Sequence, residues 1–150
     1  PRVLVLAAQA SAWDCARACQ RIFEAYPDAT YEVIADVSAY PLGTNHIAAR
    51  AAETLFGRIV GAFVPAELHD RLRITFRAAV TFPDFRRQPG LQNMTSSPFS
   101  IAVQVGEHTT WEHWSGPGAE KRVQERLAAT GTASHEAHAT APALAAEHTT

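Results

Sequence analysis

Lysine is nearly absent from this chain: of 13 basic residues among 150, only Lys121 is a lysine. With 15 acidic residues the formal net charge is -2, which leaves no basic footprint for a polyanion. Neither nucleic acid nor a membrane surface is expected as a partner. Long apolar runs are also missing, and none approaches the roughly 18 to 20 residues that span a bilayer. Pro1-Arg2 followed by a short apolar run makes a poor secretory leader, so the sequence reads as a soluble, cytoplasmic protein. Cysteine is limited to Cys15 and Cys19, one helical turn apart in WDCARACQRIF. A disulfide there would strain the turn, and no His or Cys pair has zinc-ligand spacing, so reduced core thiols and no metal are expected. Only 19% of residues are charged while 47% are hydrophobic, enough for one packed domain.

What is present is a clear start. Val3 to Ala8 is an unbroken apolar run of strand length, as for a strand buried on both faces. Ser11 is placed to cap a helix in which Cys15, Cys19, Ile22, Phe23 and Tyr26 recur with helical spacing. Pro27-Asp28 ends it, and TYEVIADV, residues 30 to 37, is rich in β-branched and aromatic side chains. A β-α-β unit therefore closes near residue 38. After the turn-rich SAYPLGTNH and a short alanine-rich helix over 47–55, GRIVGAFV (57–64) reads as a strand. Pro65 then opens a second helix through Leu68, Leu72, Thr75, Phe76, Ala79 and Val80, and SIAVQV (100–105) is a further strand. The segment GEHTTWEHWSGPG is turn-rich, AEKRVQERLAA reads as a short exposed helix, and the tail beyond Gly131 holds little that could form a core. His135, His138 and His148 in it lack the carboxylate or cysteine support a metal tract needs. The expected architecture is α+β: two β-α-β units forming a mixed sheet with helices on one face over residues 1–130, then a disordered, flexible tail, 131–150.

Pro1 raises a chemical question. An N-terminal proline carries a secondary amine, and burial or nearby arginines lower the pKa of such a group from its ordinary 7.7 to 8.0, making it a base. A chain opening with Pro1 in PRVLVLAAQ, with Asp28 before strand two in PDATYEVI and the stretch IAVQVGEHTTWEHWSGPGAE after the last strand, resembles the tautomerase superfamily, notably its malonate semialdehyde decarboxylase and cis-3-chloroacrylic acid dehalogenase branches. The resemblance implies a cofactor-independent isomerase, lyase or dehalogenase, assembled as a homotrimer and acting by proton transfer or hydration on an unsaturated or oxo-acid substrate. Pro1 would be the catalytic acid or base, Asp28 its assistant, and Trp114 a pocket wall. The family holds its substrate carboxylate with arginines after the first or third strand, where this chain has AQASAW and FVPAEL. Arg71 and Arg73, or Arg50 in the connector, are the substitutes for a carboxylate-bearing small molecule. His69 and His113 complete the candidate substrate contacts.

Each of these also has a plainer explanation. Asp70 beside His69 complements a helix dipole. WEHW, Trp111 to Trp114, fits an aromatic clamp over a sheet edge as well as a His113–Glu112 proton pair. Arg86 and Arg87 in FRRQPG fit anion holders and, more plainly, a solvated loop. Residues 58 to 130 also resemble the dimeric α+β barrel proteins that include small monooxygenases and polyketide cyclases. YEVIADV followed by GRIVGAFVPAELHDRL is similar to the later half of a thioredoxin-like domain, which without CxxC after strand one would be a non-catalytic interaction module.

Overall fold

A computed structural model describes residues 1–37, 46–77 and 86–131. Strand β1 (Arg2–Ala8) leads through a 3₁₀ turn (Gln9–Ser11) into helix α1 (Ala12–Ala25) and strand β2 (Thr30–Asp36). Helix α2 (His46–Phe63), a second 3₁₀ turn (Ala66–Leu68) and strand β3 (Leu72–Arg77) follow. Strands β4 (Ser100–Gln104) and β5 (Glu112–Ser115) precede helix α3, residues 118–131. The sheet order is β3-β2-β1-β4-β5, with β1, β2 and β3 parallel and β4 and β5 antiparallel additions. The α+β class and the mixed sheet stand as expected. Two β-α-β units are present, but they share β2 as a common strand.

Position β1 in the middle and the core follows. Val3, Val5 and Ala7 point to one face, where they meet Cys15, Cys19, Ile22 and Phe23 of α1 together with Ala119, Val123 and Leu127 of α3. Ala12 and Ala16 of α1, Ala35 and Val37 at the end of β2, and Ile59 of α2 pack together on that same side, so α1, α2 and α3 share one face. Leu4 and Leu6 point the other way, onto Ile34, Ala102, Leu91, Met94 and Trp111. None of α1, α2 and α3 covers this second face. The segment 86–99 does, and its chain is fixed by Ala8 N–H donating to Ser96 O (2.9 Å) and Trp111 N–H to Pro89 O (3.1 Å).

Five expectations are corrected. GRIVGAFV is the second half of α2: the alanine-rich start carries straight into it, and Ile59 and Phe63, four apart, face the core while Gly57 and Gly61 meet nothing. The helix expected after Pro65 is only one 3₁₀ turn, and LRITFR is β3, because the open edge of β2 offers it a parallel register, Val33 with Ile74. The sheet partner overrides a helical spacing that the residues also satisfy. The AEKRVQERLAA helix is amphipathic, with Ala119, Val123 and Leu127 buried at i, i+4 and i+8. WEHW, expected as a turn, supplies β5. Ser11 precedes α1 as expected, but its hydroxyl donates to Ser96 O at 2.7 Å instead of capping α1. Residues 38–45 of the expected connector, and the tail after residue 131, lie outside the described residues.

Gly90 has φ +95° and lies so close to Trp111 that an added Cβ would stand 1.9 Å from the Trp111 carbonyl oxygen. Gly90→Ala is expected to destabilise the fold by about 1–3 kcal/mol through left-handed strain and forced displacement of Trp111. Urea unfolding of the two proteins checks this, and equal midpoints would refute it.

Candidate functional site

The parallel strands begin together, and that places several charged side chains at one end of the sheet. Arg2 on β1 is in register with Thr30 on β2, and Tyr31 with Leu72 on β3. The pairing runs one residue past each strand: Thr30 N–H donates to Pro1 O (3.0 Å) and Tyr31 N–H to Arg71 O (3.1 Å). Residues two apart share a face, so Arg2, Thr30 and Glu32 stand on the face of Leu4 and Leu6, with Arg73 paired opposite Glu32. Together with Arg71 and Trp111 they line an open groove of 220 Å³.

The groove walls are held unequally. Trp111 is buried, and its indole N–H donates to Gln88 Oε1 at 3.0 Å. The Arg2 guanidinium lies 5.4 Å from the Trp111 ring centroid and donates to Gln104 Oε1 at 3.3 Å. Arg71 Nη1 donates to Pro27 O at 3.1 Å and stands 3.8 Å from Asp28 Oδ1. Arg73 is exposed and has no hydrogen bond or ion pair among the described residues. Three guanidiniums thus share a concavity with Glu32, and with Asp28 at its rim. Each fork offers more donors than these acceptors fill.

Of the residues singled out from sequence, Arg71, Arg73 and Asp28 come together here, although both arginines sit at the start of β3 and not on a helix. Pro1 is one residue from the groove wall. It is exposed, and its nitrogen has no hydrogen-bond or ion-pair partner among the described residues. The Asp28 side chain is 99% exposed, so its carboxylate sits at the rim, not within the cavity. His69 is exposed in the turn after Ala66–Leu68, and Arg50 is exposed on α2; neither lines the groove. His113 and Trp114 project from opposite faces of β5. His113 Nδ1–H donates to Gly90 O at 2.9 Å, and Trp114 packs on the helix-side core. The structure does not bring Trp114 to Pro1's end of the groove lining. Arg2 and Trp111 were missed as groove residues. The signal for Arg2 was available, since its place two before Leu4 sets it on the same face.

At the other end of the strands lies a hydroxyl cluster. Ser96 Oγ donates to Asp36 Oδ2 at 2.6 Å, and Ser100 Oγ donates to Thr95 O at 2.6 Å and lies 2.8 Å from Ser115 Oγ. This network fastens the cis Ser97–Pro98 segment to the β1–α1 junction. Cys15 and Cys19 are buried with their sulfurs 3.8 Å apart, and the contact with Cys15, aided by burial, pushes the Cys19 thiol well up. Such thiols are poor nucleophiles. Among the described residues no three His, Cys, Asp or Glu side chains gather as a metal site, and no helix is long and apolar enough to cross a membrane. Compared with known proteins, the chain matches no family model, no curated protein and no solved structure.

Tyr31 closes the groove floor from below. Its hydroxyl donates to Tyr26 O at the end of α1, and burial, with smaller contributions from Cys19, Tyr26 and Asp28, pushes its pKa up. The phenol ionises more readily in the unfolded chain, near pH 10, than in the folded one. Its contribution to stability is therefore complete below that pH and is lost as pH rises above it. Tyr31→Phe is expected to cost about 1 kcal/mol at pH 8 and to flatten the loss of stability between pH 9.5 and 11. Urea unfolding across that range measures both, and an unchanged alkaline slope would count against the assignment.

Proposed function

We propose that this chain is a binding domain for a small carboxylate-bearing molecule, held in the groove by Arg2, Arg71 and Arg73. The observation that carries the reading is the convergence of three guanidiniums from β1 and the start of β3 on one 220 Å³ concavity, with Arg73 unpaired among the described residues. A charge-assisted hydrogen bond is worth about 1.5–3 kcal/mol, and planar forks suit carboxylate oxygens in pairs. Thr30 between the arginines supplies a hydroxyl for a further oxygen. With α2 and β3 set aside as an addition at the β2 edge, the order β1-α1-β2 followed by β4, β5 and α3 around β1 is compatible with the thioredoxin-like alternative. Residues 9–14, QASAWD, carry no cysteine, and the buried Cys15–Cys19 pair lies beyond them, which favours a role without redox chemistry. Titration with malonate, followed by the Trp111 indole N–H and Thr30 amide NMR signals, tests this. Arg2→Ala, Arg71→Ala and Arg73→Ala are each expected to weaken malonate about tenfold. If all three bind it as the parent does, the groove is not the site.

A second reading is favoured by one observation: the Pro1 carbonyl accepts from Thr30 N–H, which anchors Pro1 beside the Arg2 wall. In the tautomerase-like reading its secondary amine takes a proton from, or returns it to, the carbon next to an oxo group, while the arginines hold the substrate carboxylate and Asp28 orients the amine or a water. No cofactor enters this scheme, and a homotrimer is the assembly it implies. Pro1→Ala and acetylation of the amine are expected to abolish turnover of an unsaturated or oxo acid without changing malonate binding. Full activity after acetylation would remove Pro1 from the chemistry and leave the binding reading intact.

A further inference from the structure

Resting on the groove reading above, we infer that Asp28 is a built-in competitor that occupies Arg71 and sets the groove's affinity for anions. Its Oδ1 lies 3.8 Å from Arg71 Nη1, so from the rim it competes with a ligand carboxylate for that guanidinium. The Asp28 side chain is 99% exposed and that of Arg71 49%, so water and salt screen the pair and its release costs little. Release does not set Arg71 adrift. The same Nη1 donates to the Pro27 carbonyl at 3.1 Å, which keeps the guanidinium at the groove mouth after the carboxylate has swung away. Tethered to the turn that also holds Pro27, Asp28 acts at a local concentration that a free anion must overcome.

The charges agree with this. Among the described residues, with Asp28 in place the three arginines face two carboxylates, Glu32 within the groove and Asp28 at its rim; with Asp28 displaced Glu32 alone of these opposes them. A ligand that engages Arg71 therefore meets a more positive cavity than the resting one. Arg73 and Arg2 have no such acidic competitor among their hydrogen bonds: Arg2 is held by the neutral Gln104 amide, and Arg73 is unpaired among the described residues. Asp28 is thus a positioning residue that acts through Arg71, and its effect is confined to ligands that use that guanidinium.

The test is a double-mutant cycle read by malonate titration of the whole chain at low salt. Asp28→Asn is expected to tighten malonate about two- to fivefold, the range that an exposed ion pair allows. In the Arg71→Ala background the same substitution is expected to change nothing, because the competitor then has no seat. Raising ionic strength should shrink the gain in the single variant. An unchanged or weakened affinity in Asp28→Asn overturns the inference, and so does a gain that persists undiminished without Arg71, since that would be a general change of surface charge. These outcomes are separate from failure of the groove reading, in which the arginine substitutions leave malonate affinity untouched.

Discussion

Strand β1 is hemmed in on every side. It pairs in parallel with β2 along one edge and antiparallel with β4 along the other, so its backbone groups are consumed by the sheet. Its side chains alternate between a helix-covered face and a face covered by the 86–99 segment, and both are dry from Val3 to Leu6. A strand in that position has no room for a polar side chain except at its ends, where burial stops. The chemistry of this molecule is therefore pushed to the two ends of the parallel strands.

The face of Leu4 and Leu6, covered by the 86–99 segment, links the core to the groove. Leu91 and Met94 press on Leu4, Leu6 and Ile34, and the same segment holds Trp111 through Gln88 and Pro89. Trp111 in turn gives the Arg2 guanidinium a flat surface to rest on. Gly90 lets the backbone at Trp111 come close, which no side chain would permit. Packing on one side of the sheet thus orients a charge at its end, by a chain of direct contacts.

The first β-α-β unit was legible because each element carried a single pattern: an unbroken apolar run for β1, helical spacing of Cys15, Cys19, Ile22 and Phe23 for α1, and β-branched content for β2. From residue 57 onward the patterns overlap. Ile59, Val60 and Phe63 look like a strand by composition and lie in a helix, whereas Leu68, Leu72, Thr75 and Phe76 fit helical spacing although Leu72–Arg77 pairs with β2. Side-chain pattern alone could not choose, because the deciding partner, the open edge of β2, is remote in sequence. The site was half legible for the same reason. Arg71 and Arg73 stood out as available cations, but their meeting with Arg2 depends on three strands starting in register, and Trp111 reaches them only through the fold.

The proposal places its ligand at the groove end, and not at the hydroxyl end, because of the balance of donors and acceptors at each. At the hydroxyl end each group answers another: Ser11 meets Ser96 O, Ser96 meets Asp36, and Thr95, Ser100 and Ser115 close among themselves. A ligand there would have to break bonds at least as good as those it made. At the groove end a guanidinium offers five donors, yet Arg2 has one neutral acceptor and Arg71 has a backbone carbonyl and a distant, exposed carboxylate. The donors left over could each take a further acceptor oxygen, and one that carries charge makes the stronger bond. The surplus of donors, fixed in place by strand register and by Pro27 and Gln104, is what the proposal of an anion site at this end of the sheet rests on.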